Sequence, residues 1–288
     1  MTGDLKHRVF IVTGANTGIG KATARELARR GAHLFLACRS EEKTLPVIHE
    51  LRLATGNDDV EFLPLDLADL ESVRRAAAHF LARKLPLHVL VSNAGLAGNG
   101  LTRDGFELTF GTNHLGHFLF TLLLVDSLKA SAPARIVNVA SRAHYGAKGI
   151  DWAAVRRPTA SRSGLQAYAE SKLANVLFSR ELARRLRGTG VTTYALHPGV
   201  VASDIWRRIP WGVRGLVKLF MISVEEGAAT TLYCATAPEL AGETGQYYDS
   251  RKETKPSKLA ADDALAAELW KRSLEWTGAR DVLPPEAR

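Results

Sequence analysis

Cysteine is scarce: the 288 residues hold only Cys38 and Cys234, which are too few for a disulfide framework and lack the spacing typical of a metal site. Nothing at the N-terminus resembles a signal peptide, so a reducing, cytoplasmic compartment is expected. Long hydrophobic runs are also missing. The longest, His117 to Val125, is interrupted by Thr121 and falls well short of the roughly 20 residues that cross a bilayer, so no transmembrane helix is expected. There is no sequence repeat and no low-complexity linker. No helix-turn-helix, zinc-finger or aromatic RNA-binding signature accompanies the net charge of +8. The basic residues are spread along helical segments, as in Arg25, Arg29 and Arg30 or Arg180, Arg184, Arg185 and Arg187, and read as solvated helix faces, with no nucleic acid as partner. His114, His117, His144 and His197 have no Glu or Cys at ligand spacing, so packing or hydrogen-bonding roles are expected and no metal.

Apolar residues make up 46% of the chain and charged residues 24%, a globular composition that fits one domain over residues 1–288. Short β-branched runs alternate with longer amphipathic ones. Arg8–Thr13, His33–Cys38, Val60–Leu65, Leu87–Ser92, Arg135–Ala140 and Val191–Leu196 read as strands. Thr17–Arg30, Phe106–Lys129 and Ala167–Arg187 read as helices. Such alternation predicts an α/β fold of the Rossmann type, a doubly wound parallel sheet with helices on both faces, because parallel neighbours need long right-handed returns. The tail after Ala279, with Pro284 and Pro285, is expected to fray.

Between the first strand and first helix lies Thr13-Gly14-Ala15-Asn16-Thr17-Gly18-Ile19-Gly20. Glycines there permit positive φ and let backbone N–H groups approach a pyrophosphate at the positive end of the helix. Tyr168 and Lys172 stand four apart and so share a helical face. An ammonium beside a phenol favours the phenolate, which allows Tyr168 to exchange a proton with a substrate oxygen. Ser141, at the carboxyl end of a central strand, can donate to that oxygen.

The Gly-x-x-x-Gly-x-Gly spacing resembles that of the short-chain dehydrogenase/reductase family. So do Asp66-Leu67, Asn93-Ala94-Gly95, Asn113, Ser141, Tyr168 with Lys172, and Pro198-Gly199, in that order from Lys6 to Tyr248. Ser92 departs from it, standing where the family usually has Asn. The resemblance implies catalytic roles for Asn113, Ser141, Tyr168 and Lys172. Asn113 would support a water that carries the proton onward through Lys172 and the coenzyme ribose. Coenzyme contacts are implied at Gly14, Asn16, Thr17, Gly18, Ile19, Gly20, Asp66, Leu67, Asn93, Ala94, Gly95, Tyr168, Lys172, Pro198, Gly199, Val201 and Ser203. At the end of the second strand, where an acidic residue would select NAD, Arg39-Ser40 offers a guanidinium fork and a hydroxyl suited to the phosphate of NADP (NADPH).

The segments Asn113–Phe118, Ser171–Asn175 and His197–Val201 look like the retinol dehydrogenase branch, which implies a small lipophilic alcohol or carbonyl substrate such as retinal. Reduction of steroids, quinones or other ketones is the alternative, and a non-catalytic NADP-binding sensor the alternative of another class. Residues 203–222 interleave apolar and basic side chains and are expected to form a lid, with Trp206 and Phe220 against the substrate and possible peripheral membrane contact as an extra. By analogy, pairing through the two helices that carry Asn113 and Tyr168 would give a homodimer or tetramer.

Overall fold

Val9 and Ile11 of the first strand point into one apolar cluster while Phe10 and Val12 point into another, so the sheet is buried on both faces. This computed structural model describes residues 3–159, 163–199 and 222–283. Its strands are β1 (Val9–Thr13), β2 (His33–Cys38), β3 (Val60–Pro64), β4 (Val89–Ser92), β5 (Ala134–Val139), β6 (Val191–His197), β7 (Gln246–Asp249) and the short β8 (Lys252–Glu253). They form one sheet in the order β3-β2-β1-β4-β5-β6-β7-β8, parallel except for the last pair. The order reverses between β1 and β4, and the crevice beyond their carboxyl ends is where such sheets bind ligands.

The helices are α1 (Gly18–Arg29), α2 (Glu41–Thr55), α3 (Leu70–Ala82), α4 (Leu108–Ala130), α5 (Leu165–Arg185), α6 (Val224–Thr236) and α7 (Asp263–Thr277). The sequence reading bounds only α1, α4 and α5, and those within a few residues. Polar caps set several of the others. Ser40 Oγ accepts from Lys43 N at the start of α2, Asp69 from Glu71 N and Ser72 N at α3, and Asp262 from Leu265 N at α7. Ser223 and Glu226 form a capping box on α6.

Helix α4 is long and apolar enough by composition to cross a membrane, yet 89% of its most apolar 18-residue stretch is buried inside the fold. It is interrupted over Gly111–Leu115 by a π-turn, a feature that recurs at functional sites. Gly116, at the exit from the turn, lets the helix approach the Asp66–Leu67 loop: a Cβ there would lie 2.5 Å from Leu67 O.

Two expectations change here. Arg185 is not solvated: its side chain is 7% exposed, it pairs with Glu181 at 2.6 Å, and its guanidinium lies 4.2 Å from the centre of the Trp270 ring. The tail does not fray directly after Ala279, because Arg185 also bonds Asp281 at 3.1 Å and the Leu283 carbonyl, and Leu283 is buried; residues 284–288 lie outside the described ones. Helix α7 covers the junction of α4 and α5. Trp270 packs against Phe118 and Phe178, and His114 Nε2 and Ser273 Oγ are 2.9 Å apart.

Candidate functional site

The turn after β1 leaves the first amides of α1 without a side-chain cap, because Thr17 makes none. Gly14 and Gly18 have positive φ, and a Cβ on Gly14 would press to 2.9 Å from Ala94 Cβ. Asn93 Nδ2 donates to Thr13 O at 2.8 Å, so this side chain braces the turn. A cleft of about 230 Å³ opens over it, bringing together Gly14, Asn16, Arg39, Ser40, Asp66, Leu67, Ala94 and Gly95. Thr17, Gly18, Ile19 and Gly20 lie at the start of α1 and are not part of its wall; neither are Asn93, Pro198 and Gly199.

Ala37, Cys38, Lys43, Leu65, Leu96 and Thr112 complete the lining and were not picked out as site residues from sequence. Lys43 is the informative addition. Ser40 caps α2, and the first turn of that helix brings Lys43 to the same wall as Arg39, so two cations face the cleft where sequence offered one. The signal was a Ser followed by three residues of helix start. Uncapped amides and glycines tight against neighbouring backbone match a dinucleotide.

Gly95 joins this cleft to a second group of residues. A Cβ on Gly95 would lie 3.3 Å from Lys172 Nζ and 3.5 Å from Asn113 Oδ1. Asn113 sits in the π-turn with both ends of its carboxamide used: Oδ1 accepts from Leu96 N, and Nδ2 donates to Leu96 O and to Ser171 Oγ, at 2.9, 2.9 and 3.0 Å. Ser171 Oγ donates to Tyr168 O at 2.8 Å, linking the turn to α5.

The Ser141 hydroxyl lies near enough to the Tyr168 phenol to influence its titration. Burial raises the Tyr168 phenol above its ordinary value, and the nearby Ser141 hydroxyl works against that rise. Lys172 is buried, donates to Val139 O at 2.8 Å, and lies 5.6 Å from the Tyr168 ring centre. Burial pushes its ammonium down to about 8. Ser141 Oγ accepts from Ala143 N at 3.2 Å, while its carbonyl accepts from His144 Nδ1 at 2.7 Å and His144 Nε2 accepts from Ser257 N at 3.1 Å. His144 therefore anchors the serine from behind, a contact sequence reasoning left unspecified.

His114, His117 and His197 also lie within hydrogen-bonding distance of a partner. His197 Nδ1 accepts from Arg142 N, and burial lowers this ring to about 4. Ser92 Oγ, at the position that departs from the family pattern, is buried with no hydrogen-bond partner. Val201, Ser203, Trp206 and Phe220, with the proposed lid over 203–222, fall outside the described residues apart from Ile222.

Residues 8–211 match the sequence profile of the family described as short chain dehydrogenase. Human retinol dehydrogenase 12 is 47% identical over 283 residues, covering 96% of this chain and 88% of that protein. A crystal structure of a putative uncharacterized protein from Mycobacterium paratuberculosis superposes with a TM-score of 0.80 at 34% identity, covering 99% of this chain and 98% of that one. The RhlG/NADP active-site complex of Pseudomonas aeruginosa superposes at 0.69 with 27% identity, over 86% and 96% of the two chains.

Proposed function

Because the chain belongs to the short-chain dehydrogenase/reductase family, in its retinol dehydrogenase branch, we propose that it is an NADP(H)-dependent enzyme acting on a lipophilic alcohol or aldehyde such as retinol or retinal. Membership makes it an oxidoreductase that moves a hydride between a nicotinamide coenzyme and an alcohol or carbonyl carbon. The observation that carries the catalytic reading is the gathering of Ser141, Tyr168 and the buried Lys172 beside the coenzyme cleft, with Lys172 Nζ 5.6 Å from the Tyr168 ring centre and 3.3 Å from where a Cβ on Gly95 would lie.

Bound NADPH supplies the hydride. Ser141 donates to the substrate oxygen and fixes its position, and Tyr168, whose phenol is protonated at neutral pH, gives its proton to the oxygen as the carbon is reduced. The Lys172 ammonium then faces the phenolate and stabilises it. Asn113 keeps the Leu96 backbone and Ser171 in register around this set.

Arg39 and Lys43 support the choice of NADP over NAD, since neither can accept the ribose hydroxyl protons that an acidic residue would take. The lipophilic substrate rests on the likeness to retinol dehydrogenase 12 and on the apolar pattern of 203–222. Two buried free thiols fit a reducing, cytoplasmic setting. A panel of aldehydes and ketones incubated with NADPH or NADH, followed at the coenzyme absorbance, tests the reading. NADPH oxidation fastest with long apolar aldehydes is expected. A preference for NADH or for short polar carbonyls contradicts it.

A further inference from the structure

Thr13 and Asn113 belong to different halves of the site, the glycine turn and the π-turn, and one buried side chain touches both. His117 Nε2 lies 2.9 Å from Thr13 Oγ1, and His117 Nδ1 lies 3.0 Å from the Asn113 carbonyl oxygen. His117 is 2% exposed and Thr13 0%, so neither bond competes with bulk water.

The proton positions follow from counting donors and acceptors. The Asn113 carbonyl can only accept, so His117 Nδ1 carries a hydrogen. The Thr13 hydroxyl already accepts from Asn93 N and Ala94 N, each at 2.9 Å, which uses both of its lone pairs. A hydrogen on His117 Nε2 would therefore meet an oxygen with nothing left to offer. Nε2 must be bare, and Thr13 donates to it in preference to Val91 O at 3.4 Å. Every valence in this chain of contacts is filled by a neutral ring with its hydrogen on Nδ1. Burial lowers the ring to about 4, with the nearby Lys172 acting in the same direction, so the neutral form is the one present at working pH.

We propose that His117 is a positioning residue that couples the coenzyme turn to the catalytic Asn113. Through Thr13 it fixes where Asn93 and Ala94 lie, and with them the wall of the coenzyme cleft. Through the Asn113 carbonyl it fixes the π-turn that aims the Asn113 carboxamide at Leu96 and Ser171. The inference rests on the catalytic reading above only for its kinetic consequence; the bridge itself is a property of the free chain.

Two substitutions separate the halves. The carboxamide of His117→Asn overlays Nδ1 and keeps a donor for Asn113 O, whereas that of His117→Gln overlays Nε2 and keeps an acceptor for Thr13. Coupling predicts that His117→Asn loses mainly in NADPH affinity and His117→Gln mainly in kcat, each by about tenfold, the scale of a sub-ångström displacement in a reacting site. Equal losses of both parameters in both variants, or lower Tm with unchanged kinetics, overturn the coupling and leave a structural histidine. Nitrogen NMR of the histidine-labelled free protein, with His117 assigned from the variants, reads the bridge without any substrate. A protonated Nδ1 and bare Nε2 down to pH 5 are expected, and a protonated Nε2 or an imidazolium at pH 6 overturns the bridge. Inactivity toward every carbonyl, with that NMR signature intact, would remove the catalytic reading and the kinetic coupling but not the bridge.

Discussion

Lys172 Nζ donates to the carbonyl of Val139 across 2.8 Å, fastening the middle of α5 to the end of β5 two residues before Ser141. The lysine thus holds the helix that carries Tyr168 against the strand that carries Ser141. Tyr168→Phe keeps this scaffold and removes only the proton donor. Turnover should fall by about two to four orders of magnitude, the usual worth of general acid catalysis, with NADPH affinity by fluorescence titration unchanged. Retained turnover would mean that the proton comes from another group.

Arg39 and Lys43 line one wall of the cleft. Arg39→Asp should weaken NADPH far more than NADH, by about tenfold or more in the ratio of their Kd values, because it replaces a phosphate donor by a like charge. Lys43→Ala should weaken NADPH alone and by less, since it removes one cation and adds no repulsion. Unchanged preference in both variants would place the phosphate elsewhere.

Gly116 has no room for a side chain, with Leu67 O at 2.5 Å and Leu67 Cβ at 2.9 Å from its would-be Cβ. Gly116→Ala should therefore push α4 away from the Asp66–Leu67 loop and cost about 1–3 kcal/mol in urea unfolding, as overpacking does. The same displacement should weaken NADPH binding, because Asp66 and Leu67 line the cleft. Wild-type stability in this variant would show that the loop yields freely.

Burial lowers His114 to about 3 and His117 to about 4, from an ordinary 6.5. As pH falls below 6.5 the unfolded chain takes up protons that the folded chain refuses, so the stability held above that point is lost on acidification toward 4. At pH 5 the loss is about 2 kcal/mol for each ring. Urea unfolding at pH 7.5 and pH 5 measures it, and His117→Gln should flatten the difference by about the share of one ring. Identical pH dependence in the two proteins would mean that His117 titrates normally in the fold.

Much of this was legible because it is local. Uninterrupted runs such as His33–Cys38 have no other use than a strand buried on both faces, and Tyr168 with Lys172 declares its shared face by spacing alone. What was not legible depends on contacts far apart in sequence. Helix α2 is obscured by Pro46 inside it, and without that helix nothing places Lys43 beside Arg39. The π-turn leaves no pattern beyond Gly111 and Gly116, so the environment of Asn113 could be named only by resemblance. That Trp270 and Ser273 of α7 cover Phe118 and His114, on the face where pairing was expected, emerges only from the packing.

The central claim is that Ser141, Tyr168 and Lys172 serve a hydride transfer from NADPH to the carbonyl carbon of a lipophilic aldehyde. Single-turnover reduction of retinal with NADPH carrying deuterium at the transferable nicotinamide position, with the product analysed by mass spectrometry, tests it most directly. The account predicts retinol with one deuterium on its carbinol carbon from the wild-type protein, and none from Tyr168→Phe on the same timescale. Tight NADPH binding without deuterium transfer to retinal or to any other long apolar aldehyde would contradict it and leave a coenzyme-binding protein that does no redox chemistry.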